Sequence, residues 1–150
     1  MNLDESNGLG LDENGVRKVS VMLVDDDPIF LEFLVALLQT YHCDQLDVVG
    51  TARSSEECVI RAQALAPEVV LMDLNMPGRG GLWAIPLLHI LFPETHVIAL
   101  TSSDDADSRK AVLAAGGTDL VSKSAWKTDL IPAIQRAVKV GDMNPSFATA

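Results

Sequence analysis

Asp25, Asp26, Asp73, Thr101 and Lys123 each stand at the end of a short apolar run. Carboxylates brought together repel and raise one another's pKa, and a divalent cation removes that repulsion. The donors are hard oxygens and no His or Cys cluster accompanies them, so the expected cation is Mg²⁺, with Mn²⁺ able to take its place. A carboxylate that is rigidly held and still reachable can also act as a nucleophile. Asp73 attacking phosphorus would give an aspartyl phosphate. The cation, the Lys123 ammonium and the Thr101 hydroxyl would then serve three phosphoryl oxygens, because such transfer depends on positioning and charge neutralisation. Singly, each residue has a plainer reading. An Asp before a helix is a cap, as Asp27 is read here; a Thr ending a strand is a turn former; a lone Lys is solvated surface. It is the recurrence at the same end of four runs that points to a site.

The elements that must position these residues follow from the pattern. Val69–Met72 is an apolar run bounded by breakers and running into Asp73-Leu74-Asn75-Met76-Pro77-Gly78. It reads as a strand buried on both faces, with Asp73 at its carboxyl end. Val19–Val24, Leu46–Ala52, His96–Leu100 and Asp119–Ser122 read as four more strands. The helix after the first opens at Asp27-Pro28, and Phe30, Phe33, Leu34, Leu37 and Leu38 form its expected core stripe. Ser54 and Glu57 make a capping box for the second helix, which stops near Ala66 ahead of Pro67. The third is expected over Trp83–Leu91 with a bent or late first turn at Pro86. The fourth starts near Asp104-Asp105 and stops at Gly116-Gly117, and the fifth spans Thr128–Val140 with Pro132 near its first turn. Five strands alternating with five helices imply an α/β fold of the flavodoxin-like, doubly wound (βα)5 kind. Its parallel sheet takes the order 2-1-3-4-5, with helices on both faces. That order makes strands one and three neighbours and sets Asp25 and Asp26 beside Asp73.

Composition narrows the function classes. The 150 residues suffice for one domain, and 48% hydrophobic with only 5% aromatic suits an aliphatic core. A net charge of −10, from 21 acids and 11 bases, disfavours direct binding of nucleic acid or anionic membranes. The longest apolar run, Leu82 to Phe92, is too short to span a bilayer, and no signal peptide is evident, so a soluble cytoplasmic protein is expected. Cys43 and Cys58 have no metal or redox spacing and read as reduced thiols; His42, His89 and His96 have no ligand spacing either. Residues 1–17, acidic and glycine-rich, are expected to be a disordered tail, 18–140 the folded domain, and 141–150 a loose tail or the start of a linker.

Over roughly residues 18–140 this pattern resembles the receiver domain of bacterial two-component response regulators. The likeness is carried by Leu23-Val24-Asp25-Asp26-Asp27-Pro28, by Met72-Asp73-Leu74-Asn75-Met76-Pro77-Gly78 with Gly81, by Thr101-Ser102, and by Leu120-Val121-Ser122-Lys123-Ser124. The resemblance implies a signalling switch rather than a turnover enzyme. Asp73 would be the phosphoacceptor, Asp25, Asp26 and Asp73 with the backbone carbonyl of Asn75 the Mg²⁺ ligands, and Thr101 and Lys123 the switch hydroxyl and lysine. It implies a sensor histidine kinase or phosphotransfer protein as phosphodonor, slow self-dephosphorylation, and a two-state response on the face of helix four, strand five and helix five. That face, or the last helix, is the expected homodimer surface. Asn75 and Ser103 occupy places that influence how long the phosphoryl group survives. Many members continue into a helix-turn-helix output domain, so the chain also fits the receiver part of a transcriptional regulator. One departure is Leu120, where members often carry an aromatic that swings inward; its absence implies a different readout.

Two other readings compete. Asp25-Asp26-Asp27 resembles the Asp-x-Asp opening of haloacid-dehalogenase-like phosphatases, but Ile29 stands where Thr or Val is wanted and Asp73-Leu74-Asn75-Met76-Pro77-Gly78 is left unexplained. The other is an interaction module that no longer switches, which Leu120 keeps in view.

Overall fold

Strand β1 (Val19–Val24) is an inner strand of the sheet, and Val21 to Val24 are all buried. The structure, a computed structural model, describes residues 18–102 and 105–142, with side chains through residue 139. After β1 come α1 (Pro28–Tyr41), β2 (Leu46–Ala52), α2 (Ser55–Leu65), β3 (Val69–Asp73), α3 (Gly81–Leu91), β4 (His96–Thr101), α4 (Ala106–Ala115), β5 (Asp119–Ser122) and α5 (Trp126–Asp142). The five strands form one parallel sheet in the order β2-β1-β3-β4-β5.

Successive strand residues face opposite sides, and each side of this sheet has its own core. Val21 and Leu23 of β1, with Leu71 and Val69 of β3, meet Leu31, Leu34 and Leu38 of α1 and Leu130, Ile134 and Val138 of α5. Met22, Val24, Val70 and Met72 meet Cys58 and Ala62 of α2, Ala84, Ile85 and Leu88 of α3, and Val112 of α4. Both faces of the central strands are therefore covered, as parallel sheets require.

The helix starts follow local chemistry. Asp27 accepts hydrogen bonds from the backbone N–H groups of Ile29 and Phe30, and Pro28 holds the first helical position of α1. Ser54 accepts from Glu57 N–H at 3.1 Å. Asp105 caps α4 through Ser108 N–H, and Gly116, at φ 105°, ends it. The Asp104 part of the expected start lies outside the described residues. A side chain at Gly116 would also meet the His89 ring, with a Cβ only 2.8 Å from it.

Three expectations need correction. The core stripe of α1 is Leu31, Leu34 and Leu38 rather than the Phe30/Phe33 face. Phe33 is half exposed and stacks edge-on against Trp126, and Phe30 and Leu37 are only partly buried. The spacing was helical, but the sheet selects a face about one residue further round. Helix α3 begins two residues earlier than expected, at Gly81, because Gly81 N–H bonds to the Leu74 carbonyl and closes the loop against the sheet. Helix α5 begins at Trp126, so Pro132 lies in its second turn, not near its first. Ala125 accepts from Asp129 N–H and starts the helix before the sequence signal does.

Candidate functional site

The carboxyl ends of β1, β3, β4 and β5 put Asp25, Asp73, Thr101 and Lys123 on one edge of the sheet. β1 and β3 pair through Val24 and Met72, so the residues that follow, Asp25 and Asp73, leave the sheet side by side. One carboxylate oxygen from each of Asp25, Asp26 and Asp73 lies within 4.8 Å of the other two. Asp25 and Asp73 are each 3% exposed, and Asp26 is partly buried.

Each side chain is held by its own turn. Asp25 Oδ1 accepts from Asp27 N–H at 2.9 Å, and Asp73 Oδ1 accepts from Asn75 N–H at 3.1 Å. Both are two-residue side-chain-to-backbone turns of the kind Asp favours where a strand ends. Asp27 is thereby spent on structure: its N–H orients Asp25 and its carboxylate caps α1. That capping role, with Asp73 and Lys123 gathered in the same basin, speaks against the Asp-x-Asp phosphatase reading.

Lys123 comes from the opposite side. Its backbone N–H bonds to the Thr101 carbonyl at 2.7 Å, which ties the β5–α5 turn to the end of β4. Its ammonium donates to Asp25 Oδ2 at 2.8 Å and lies 3.5 Å from Asp73 Oδ1. Thr101, 2% exposed, stands in register with Ser122, and its hydroxyl lies 3.4 Å from the Asn75 amide nitrogen, which is equally close to the Ser102 hydroxyl. Ser103 lies outside the described residues.

Burial pushes the Asp73 carboxyl above the usual aspartate range. The Asn75 N–H bond opposes that shift, the Asp25 charge adds to it, and the charge and hydrogen bond of Lys123 resist it. For Lys123, burial pulls downward, yet the hydrogen bond it donates to Asp25 and the charges of Asp73 and Asp25 hold its pKa above the ordinary value. Three close acids and one ammonium leave the cluster with surplus negative charge. All donors are hard oxygens, so the set fits Mg²⁺ or Mn²⁺ rather than a softer ion.

All five expected residues therefore converge, and the side chain of Asn75 joins them. The reading from sequence did not find Phe30, whose ring centroid lies 4.7 Å from the Lys123 ammonium, nor the Asn75 amide on Thr101. Spacing along the chain could not have supplied these, since they depend on contacts between residues far apart in sequence. Leu120 is 3% exposed in the α2–α3–α4 core, and its carbonyl accepts from Arg109 at 3.1 Å. Cys58 is a buried core thiol, pushed up to about 12 by desolvation and then by Glu57, and is no part of the site.

The comparisons with known proteins agree with this geometry. Residues 21–135 match the response regulator receiver domain. This chain belongs to the response regulator receiver domain family. Among curated relatives, the response regulator GacA of Pseudomonas protegens is 35% identical over 117 residues, 78% of this chain and 54% of that protein. The chain thus spans about half the length of the curated relatives it matches. Among solved structures, the two-component response regulator of the LuxR family from Aurantimonas sp. superposes with TM-score 0.75 at 28% identity, covering 88% of this chain and 94% of that one. The receiver domain of RcsB from Salmonella enterica, solved with the phosphomimetic BeF3⁻, superposes with TM-score 0.72 at 28% identity, covering 82% and 90%. Receiver domains are signalling domains of two-component systems, act with histidine kinases or phosphotransfer proteins, and generally use Mg²⁺. Among the described residues no helix is long and apolar enough to cross a membrane.

Proposed function

We propose that this receiver domain takes a phosphoryl group on Asp73 from a histidine kinase or phosphotransfer protein and thereby changes its choice of partner or oligomer. The observation that carries the reading is the meeting of three carboxylates within 4.8 Å under a lysine that bridges two of them. Asp25, Asp26 and Asp73, with the backbone carbonyl of Asn75, would hold Mg²⁺. When bound, the ion supplies positive charge to a phosphoryl group and to the acids around it.

The chain's own residues do the rest. An Asp73 carboxylate oxygen attacks phosphorus; the new P–O bond forms as the P–N bond of a donor phosphohistidine breaks, and the electron pair leaves with the imidazole nitrogen. Asn75 N–H holds Asp73 in one rotamer while it reacts. Lys123 exchanges a carboxylate for a phosphoryl oxygen, and Thr101 offers its hydroxyl to another. Attack of water on the aspartyl phosphate reverses the state slowly. Residues 18–140 form the switching unit, its output face is α4, β5 and α5, and a homodimer would use that face or α5 alone. With Leu120 already packed inward, that face would respond through Arg109, which joins α4 to Leu120 and Asp119, rather than through an aromatic flip. The net charge of −10 disfavours nucleic acid as a direct ligand of this unit, and a histidine kinase as donor would put its work in the cytoplasm.

The test is labelling with Mg²⁺ and a small phosphodonor such as acetyl phosphate. The parent chain takes label, a chelator abolishes it, and Asp73→Asn takes none. Equal labelling of Asp73→Asn would sink the assignment. Chemical-shift changes with beryllofluoride that reach α4 and α5 are expected; changes confined to the metal's surroundings would favour the inert module.

A further inference from the structure

Lys123 has three donors on its ammonium. One meets Asp25 Oδ2 at 2.8 Å and a second side faces Asp73 Oδ1 at 3.5 Å. The ring of Phe30 lies against the ammonium as well, 4.7 Å from nitrogen to centroid, inside the roughly 6 Å range over which a ring face attracts a cation. Nothing about Phe30 is accidental in placement. It is the third residue of α1, and its own N–H bonds to the Asp27 carboxylate at 3.3 Å. Asp27 N–H in turn orients Asp25. The same turn therefore sets both the carboxylate and the ring that Lys123 touches. Phe30 packs against the α1–α5 side of the core, and it is not one of that helix's fully buried residues.

We propose that Phe30 is a positioning residue for Lys123: its ring face holds the ammonium over the acidic basin without contributing a charge or an acceptor of its own. This rests on the reading of Asp73 as phosphoacceptor. A third carboxylate at this place would hold the lysine more strongly but would compete with an incoming phosphoryl oxygen. A ring attracts weakly and without direction toward any one donor. It limits where the four-carbon stem can swing while leaving all three N–H groups free to change partner. The ammonium can then leave Asp25 for a phosphoryl oxygen by a small pivot across the ring rather than by first escaping to water.

The alternative is that Phe30 only fills space, and ring electronics separate the two. Replacing Phe30 with mono-, di- and trifluorinated phenylalanine keeps its shape while draining the negative ring face. The rate of labelling by acetyl phosphate at saturating Mg²⁺ is expected to fall stepwise across the series, by about threefold to tenfold at the end, the span of a partly desolvated cation–π contact. Phe30→Tyr retains the parent rate and Phe30→Leu loses it. Mg²⁺ affinity, followed by chemical shift, stays unchanged throughout. A second readout needs no phosphorylation: the Lys123 ε-methylene protons are shifted upfield by the Phe30 ring current, and Phe30→Leu abolishes that shift. A flat rate across the fluorinated series, even with Phe30→Leu impaired, overturns the proposal in favour of packing. A missing ring-current shift in the parent overturns it as well. If the parent takes no label while the ring-current shift is present, the phosphoacceptor reading has failed and not the Lys123–Phe30 contact.

Discussion

Asp73 carries a carboxylate whose ionised form the fold disfavours until a cation arrives. Its pKa is raised from the ordinary 3.8, with burial as the leading cause. A group bound to its proton more tightly in the folded chain adds stability below its unfolded pKa, and that contribution is lost as pH rises through the folded value. At neutral pH without metal, Asp73 therefore costs stability. Asp73→Asn is expected to raise the urea midpoint at pH 7 in chelator, because it removes the carboxylate whose ionised form burial disfavours. The gain should shrink as pH falls from the raised folded value toward the ordinary 3.8, because the parent's Asp73 takes up its proton over that window. An Asn variant less stable than the parent at pH 7 would contradict the shift. The five acceptor-site residues were legible because each ends an apolar run, and chain position alone puts such residues on one sheet edge. Phe30 and the Asn75 side chain were not. A phenylalanine at helical spacing reads as core, and only the crossing of α1 over the β5–α5 turn makes it a neighbour of Lys123.

The loop between β3 and α3 is where the elements press hardest on sequence. A Cβ on Gly81 would stand 2.8 Å from the Asp73 carbonyl oxygen and 3.1 Å from the Leu74 Cα, both backbone atoms that side-chain motion cannot relieve. Gly81→Ala must therefore push α3 away from the very residues that aim the carboxylate. It is expected to cost about 1–3 kcal/mol in denaturant, the usual range for overpacking, and to weaken Mg²⁺ binding in the same protein. Loss of stability with metal affinity intact would mean that the loop yields elsewhere. The exposed Arg109 and Arg136 both reach Asp119, so α4, β5 and α5 share one ion-pair cluster. Arg109→Ala is expected to loosen α4 with little effect on global stability, since ion pairs with exposed partners contribute well under about 1 kcal/mol. Faster amide exchange in Ala106–Ala115, with the unfolding midpoint nearly unchanged, is the outcome that checks it. Element identity and order were readable from periodicity and breakers. The starts of α3 and α5 were not, because Gly81 and Ala125 enter through backbone hydrogen bonds to the preceding loops rather than through a capping side chain.

At the scale of the whole molecule, the sheet order followed from few choices. Alternating strands and helices demand a covered parallel sheet, and right-handed crossovers leave a handful of orders, of which 2-1-3-4-5 is one of the two common doubly wound ones. That topology gathers three acids at one end of a chain already carrying −10. Two effects of added Mg²⁺ must then be told apart. Any salt screens diffuse repulsion between surface charges, with a Debye length near 10 Å at about 0.1 M. A bound ion instead stabilises the folded state by its own binding free energy, about 2.7 kcal/mol at a hundredfold excess over Kd. Thermal unfolding in MgCl2 and in NaCl of matched ionic strength should separate them, with MgCl2 raising Tm further. In Asp25→Asn combined with Asp26→Asn, the extra increment vanishes while the response to NaCl persists, because only the local donors are gone. Equal increments from both salts in the parent would mean that the acidic basin holds no ion of its own, and the case for phosphoryl chemistry at Asp73 would lose its electrostatic foundation.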